Sequence, residues 1–198
     1  MPLFLLVLLI MTEKMEREGN RGKAFELYTK AIELDSDNAR AINNLGNCYR
    51  NGVGVEENTD KAMELYRKAA ELGYSNAQYN LADVLKKKND PECLEWYQKV
   101  YENGDVDAPY DIANIYNEGK IVPQDYQKCV EYLIKADEIG NDSATLDLAC
   151  AYLQGKHIEK NTEKGIELMR KAADSGNGGC CTQYVLGLRK RRRSRGQP

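Results

Sequence analysis

Small and apolar residues recur at helical spacing along this chain, in a pattern that restarts about every 36 residues. Ala41, Leu45 and Tyr49 lie four apart and share one helical face. Gly52, Val55, Lys61, Ala62, Lys68, Ala69 and Gly73 follow. The same order returns as Ala108, Ile112, Tyr116, Gly119, Val122, Lys128, Cys129, Lys135, Ala136 and Gly140, and again as Ala144, Leu148, Tyr152, Gly155, Ile158, Lys164, Gly165, Lys171, Ala172 and Gly176. Each copy reads as a helix, a glycine-containing turn and a second helix. Self-similarity at this period means supersecondary units that stack and bury their apolar faces against one another. No segment sustains an alternation of period two, so no sheet is expected.

The finer positions fit this reading. Gly46, Ala82, Ala113 and Ala149 on the first helices, and Ala62, Cys93, Cys129 and Gly165 on the second, are small enough for facing helices to approach closely. Gly73, Gly104, Gly140 and Gly176 stand where a helix C-terminus calls for a left-handed residue. Asn76, Asp107 and Ser143 are expected to cap first helices, and Asp90-Pro91 reads as a cap followed by proline at the first helical position. A copy from Ala77 keeps Leu81, Ala82, Cys93, Tyr97, Lys99 and Gly104, but lacks five residues of the middle loop and carries Leu85 in place of tyrosine. An earlier copy keeps Lys23, Ala24, Tyr28, Lys30 and Ala31 behind the apolar run Leu3 to Met11. The expected division is a degenerate first repeat at 3–37, repeats at 38–73, 76–104, 107–140 and 143–176, a terminal half-repeat at 180–188, and a basic, disordered tail at 189–198.

These motifs resemble the Sel-one-like repeat, a relative of the tetratricopeptide repeat, over about residues 23–188. The resemblance implies an all-α fold, a right-handed superhelical α-solenoid of about five helix-turn-helix repeats plus a terminal half-repeat. It implies an adaptor for protein complexes with no chemistry of its own. Leu85, the shortened third loop and the apolar first helix depart from the pattern. In such stacks the first helix of each pair lines the concave face. The Ala, Leu and Tyr positions go to the core, so residues of other helical phase are expected to point outward. Arg40, Asn43, Asn47 and Arg50 are then candidates in one repeat, Tyr79, Asp83 and Lys86 in the next, and Tyr110, Asn114 and Asn117 in the one after. Asparagine bonds both groups of a peptide backbone, and tyrosine offers a rigid apolar body with a polar tip. The expected ligand is a peptide or helical segment of another protein, with no small-molecule substrate and no cofactor. Against this stands the packing alternative, in which Tyr79 and Tyr110 sit between repeats.

Charge divides the chain. Its net charge is −3, with 28 basic and 31 acidic residues. Six of the basic ones, Arg189, Lys190, Arg191, Arg192, Arg193 and Arg195, lie in the tail, which leaves −9 for the rest. An acidic body does not suit nucleic acid, whose phosphates need clustered lysine and arginine. The tail is read as a solvated terminus, a localisation patch, or a contact for RNA or acidic lipid. The six cysteines do not recur at one position in every repeat; Cys93 and Cys129 substitute for alanine and read as buried thiols. Adjacent Cys180-Cys181 and the single histidine, His157, match no common zinc spacing, so no metal is expected. Gly52-Val53-Gly54-Val55 follows a helix rather than a strand, the wrong context for a phosphate loop. No nucleophile–base pair is recognisable, and no enzymatic activity is expected. Pro2 to Met11 lacks a basic n-region and is about half a membrane span; it reads as a buried or partner-facing helix, or as the remnant of a signal or anchor. The expected compartment is the cytoplasm, or a secreted or membrane-associated setting if that run is a signal or anchor.

Overall fold

The computed structural model describes residues 21–175. They form α1 (Arg21–Leu34), α2 (Ala39–Asn51), α3 (Thr59–Glu71), α4 (Ser75–Lys87), α5 (Cys93–Glu102), α6 (Ala108–Glu118), α7 (Tyr126–Glu138), α8 (Asp142–Gln154) and α9 (Thr162–Asp174), with no strand among the described residues. The chain is an all-α helical repeat array. It divides into two compact units, an N-terminal one up to Asn103 holding α1–α5 and a C-terminal one from Gly104 holding α6–α9.

Within each unit, close approach of helices follows from small side chains. Ala41, Ala62, Ala69, Ala77 and Ala82 are fully buried in the first unit, as are Ala108, Ala113, Ala136, Ala144, Ala149 and Ala172 in the second. Gly46 shows how tight the fit is: a Cβ there would stand 2.7 Å from the ring of Tyr66, which is itself fully buried. Gly165, on the second helix of its pair, is packed as tightly: a Cβ there would meet Leu153 at 2.6 Å. In each case a large side chain from the paired helix occupies the volume that a methyl group would need.

The recurring tyrosine and lysine belong to one device. The first helix ends at a left-handed glycine, Gly52, Gly119 or Gly155, with φ between 64° and 68°. The loop then returns so that the N–H of Asn58, Asp125 or Asn161 donates to the carbonyl of Tyr49, Tyr116 or Tyr152 at 2.8–3.0 Å. The same three residues cap α3, α7 and α9, each accepting from the backbone N–H of Lys61, Lys128 or Lys164. Each lysine then lies over the ring of its tyrosine, 4.6–5.0 Å from the centroid. In the repeat with the shortened loop both partners are gone together. Leu85 takes the tyrosine position and is 2 % exposed, and Glu92 takes the lysine position. Glu92 instead holds a fork from Arg67 (2.5 and 2.8 Å) and the indole N–H of Trp96 (2.9 Å).

The helix starts differ from the sequence reading. Asn38 and Asn141 cap α2 and α8, accepting from Ala41 and Ala144, while Asn76 and Ser143 lie inside the first turns of α4 and α8. At α8, Asn141 and Ser143 offer the same cap chemistry two positions apart and the turn geometry selects Asn141, whereas α4 starts after Tyr74 with no side-chain cap. Asp107 stands at the cap position of α6 without a capping bond: Asp105 takes the N–H of both Asp107 and Ala108, and the Asp107 carboxylate accepts from Asn141. Helix α5 begins at Cys93 rather than at Pro91, with Asp90 accepting from the Glu92 N–H in the turn before it. The apolar run 3–11, Gly176, the half-repeat 180–188 and the tail lie outside the described residues.

Candidate functional site

Three rows of register-equivalent positions on the first helices, together with Arg40, hold the candidate residues. In the N-terminal unit these positions are engaged in contacts, some within a repeat and some between neighbouring repeats. Asn43 is only 3 % exposed, which corrects the expectation that it faces outward. Its Oδ1 accepts from Asn80 on α4 at 2.8 Å, because α2 and α4 lie close enough for their short amides to meet. Asn47 is half-buried and accepts from the hydroxyl of Tyr66 at 2.7 Å. Burial raises the pKa of Tyr66, and nearby Arg50 opposes that rise. Arg50 reaches across to Asp83 on α4 at 2.9 Å, and Lys87 shares the same carboxylate at 3.1 Å. The charges of Arg50 and Asp83 therefore neutralise each other. Tyr79 packs edge-on against Tyr97 with ring centroids 5.6 Å apart, and the Lys86 ammonium lies 5.8 Å from the same Tyr97 ring. Arg40 sits half-buried at the start of α2.

The C-terminal unit carries different side chains at the same positions. Tyr110 on α6, equivalent to Asn43, donates its hydroxyl to Asp147 on α8 at 3.0 Å. Burial raises the Tyr110 pKa, and the Asp147 charge adds to the rise, so the hydroxyl keeps the proton it donates. The positions of Arg50 and Asp83 are taken here by Asn117 and Cys150, which cannot form an ion pair. A cleft of about 210 Å³ opens between them. Asn114, Asn117 and Gln154 bring amides to it, Val130 and Leu133 an apolar floor, and Asp147 a carboxylate. Lys156 and His157 stand at its edge. Cys129 also lines it; burial pushes that thiol up, as it does Cys93, which lies at about 11. Both are therefore protonated packing groups at neutral pH. Among the described residues no cluster of His, Cys, Asp and Glu has the arrangement of a metal site.

Sequence reasoning missed Asp147 and Gln154. Asp147 follows by three the alanine that opens its repeat, in the row Asn44, Asn80, Asp111, Asp147. Reading that row beside the tyrosine row would have revealed it. The tail cations Arg189 to Arg195 lie outside the described residues.

Paired helices, repeated in register and tied in three of the described repeats by the same loop clamp, define a helical repeat protein of the tetratricopeptide-like class. The Sel1 repeat model matches residues 14–36, 39–74, 75–105, 106–139 and 142–177, and the chain belongs to the Sel1 repeat family. A solved Sel1 repeat protein from Oxalobacter formigenes is 29% identical, with 87% of this chain and 74% of that one covered and a TM-score of 0.73. The protective antigen c5321 of uropathogenic Escherichia coli, described as having an SLR fold, is 25% identical over 87% of this chain and 46% of that one, with a TM-score of 0.54. YrrB, described as a TPR protein with an unusual peptide-binding site, shares the fold at 22% identity, 91% and 90% coverage and a TM-score of 0.57. Comparison with curated proteins gives no match. Repeat proteins of this family generally mediate protein–protein interaction and are generally non-enzymatic scaffolds. No helix among the described residues is long and apolar enough to cross a membrane.

Proposed function

We propose that this chain is a non-catalytic adaptor that binds peptide segments of partner proteins on the faces of its first helices, with the C-terminal unit carrying the principal site. The cleft between α6 and α8 is the observation that supports this reading: amides from two successive first helices border an apolar floor and open space. An extended peptide presents N–H and C=O groups that such amides can bond, and its side chains can cover the floor. Arg40, Asn47, Arg50, Tyr79, Asp83 and Lys86 serve this reading as the surface of the first unit, where internal pairing leaves them a supporting part.

Selection of a displayed peptide library on the full chain tests this. Asn114→Arg sets a long charged stem in the cleft, while Glu163→Arg alters an exposed position on α9. Peptide families enriched on the wild-type chain and on Glu163→Arg, but lost on Asn114→Arg, are the expected result. Enrichment that survives Asn114→Arg removes the cleft from the proposal.

A second reading rests on the tail, whose six cations in seven residues favour electrostatic association with nucleic acid or an acidic membrane. Such binding weakens steeply with added salt. Binding to duplex DNA or to phosphatidylserine vesicles that is unchanged between low and high salt would eliminate it.

A further inference from the structure

The two units differ in charge as well as in shape. Residues 21–103 hold 14 acidic and 12 basic side chains, whereas residues 104–175 hold 14 acidic and 8 basic. Part of that difference falls on the first helices themselves. Where α2 and α4 carry Asn44 and Asn80, α6 and α8 carry Asp111 and Asp147. Asp83 in the N-terminal unit already shares its charge with Arg50 and Lys87. Asp147 is exposed, and its carboxylate accepts from the Tyr110 hydroxyl while pairing with no lysine or arginine among the described residues.

The geometry points to an extended peptide segment bearing a lysine or arginine as the occupant of this cleft, with the cation on Asp147. Its aliphatic stem would lie along Val130 and Leu133, and its backbone would bond with Asn114 and Asn117. Tyr110 holds the carboxylate in place, so Asp147 presents its remaining lone pairs without first having to be ordered. This inference rests on the peptide-binding reading above and assigns it a chemistry.

Two capped peptides, acetyl-Ala-Ala-Lys-Ala-Ala-amide and the same peptide with glutamate in place of lysine, test it by titration into the full chain. Side-chain amide NMR signals of Asn114, Asn117 and Gln154 report the location, and their shifts give the affinities. Asp147→Asn removes the charge at an exposed position with the same shape; Asp174→Asn removes one charge from the same unit, on α9. The expected result is that the lysine peptide binds roughly fivefold more tightly than its counterpart. That preference is lost in Asp147→Asn and kept in Asp174→Asn, with both variants melting like the wild type. Equal binding of the two peptides at the cleft, or equal losses in both variants, overturns the cation preference and leaves the groove standing. No shift of the three amides with either peptide overturns both.

Discussion

The N-terminal and C-terminal units use one repeat pattern and carry different chemistry at matched positions. In the first, Arg50 closes on Asp83 and Asn43 meets Asn80. In the second, Asn117 and Cys150 leave a cleft, and Tyr110 holds out a carboxylate. The packing beneath is equivalent: both units bury a stripe of alanines and seat a large side chain against a glycine. The difference is one of lining rather than of open space: a pocket of about 270 Å³ beside Arg50, Val84, Lys87 and Lys88 is bordered by paired charges, whereas the cleft beside Asn117 and Cys150 is bordered by amides and a carboxylate. The scaffold positions are set by the need for helices to approach, and the face positions are free to differ because either choice leaves the core intact.

The largest effect expected on this comparison comes from the core it assumes to be shared. Tyr66 is fully buried and also supplies the hydroxyl held by Asn47. Tyr66→Ala should lower stability by about 3–5 kcal/mol, measured by urea unfolding. Met169→Ala, its register equivalent in the second unit, should fall in the range of about 2–5 kcal/mol. A loss below about 1 kcal/mol at either would break the equivalence of the two cores.

Next comes a direct exchange of faces. Asn117→Arg with Cys150→Asp installs in the second unit the ion pair that bridges α2 and α4 in the first. The expected result is at least a tenfold loss of lysine-peptide affinity, about 1.4 kcal/mol, with stability shifted by less than about 1 kcal/mol. Undiminished peptide binding would show that the lining of the cleft is not what separates the units.

A smaller effect belongs to the N-terminal unit alone. Arg67's fork, then the indole N–H of Trp96, hold Glu92 at about 2, below its usual 4.5. A carboxyl whose pKa is depressed by folding stabilises the fold above its unfolded value and loses that contribution as pH falls through the folded value. Glu92→Gln should therefore remove a stability increment that the wild type shows above about pH 4.5 and gives up towards pH 2. The pair is about one-third exposed, so solvent screening limits the increment to about 1 kcal/mol. Urea midpoints collected from pH 6 to pH 2 would reveal it as converging curves; parallel curves would disprove it.

The smallest effect tests what the units share. Lys61→Met, Lys128→Met and Lys164→Met keep the stem over the tyrosine ring and remove the cation. Each should cost about 0.5–1 kcal/mol by thermal melting, with similar values in both units. A marked difference between units would mean that the clamp is not one device.

Much of this was legible in the sequence because it follows from the period. Small residues at Gly46, Ala82, Ala113 and Ala149 must face something close, and the glycine after each tyrosine must turn the chain. The tyrosine and lysine could be seen to recur; that they touch required the loop to be folded. The face residues were harder. Asn43 and Asn44 differ by about 100° of helical phase, and whether either meets water depends on how near the next first helix comes. That distance is set by pairs such as Asn43 with Asn80, which are far apart along the chain. Asp147 was missed for the same reason, since its hydrogen-bond partner is a tyrosine in the preceding repeat.

The loop clamp also governs how this array can be edited. A carbonyl, a ring, a cap and an ammonium spread over a dozen or so residues act as one fastener, and the chain gives up the ring and the ammonium together where Leu85 and Glu92 stand. A connector can accordingly be transplanted between repeats as a cassette running from Tyr49 to Lys61, or from Tyr116 to Lys128, with both ends moving as a set. Restoring tyrosine at position 85 by itself would supply a latch with no catch.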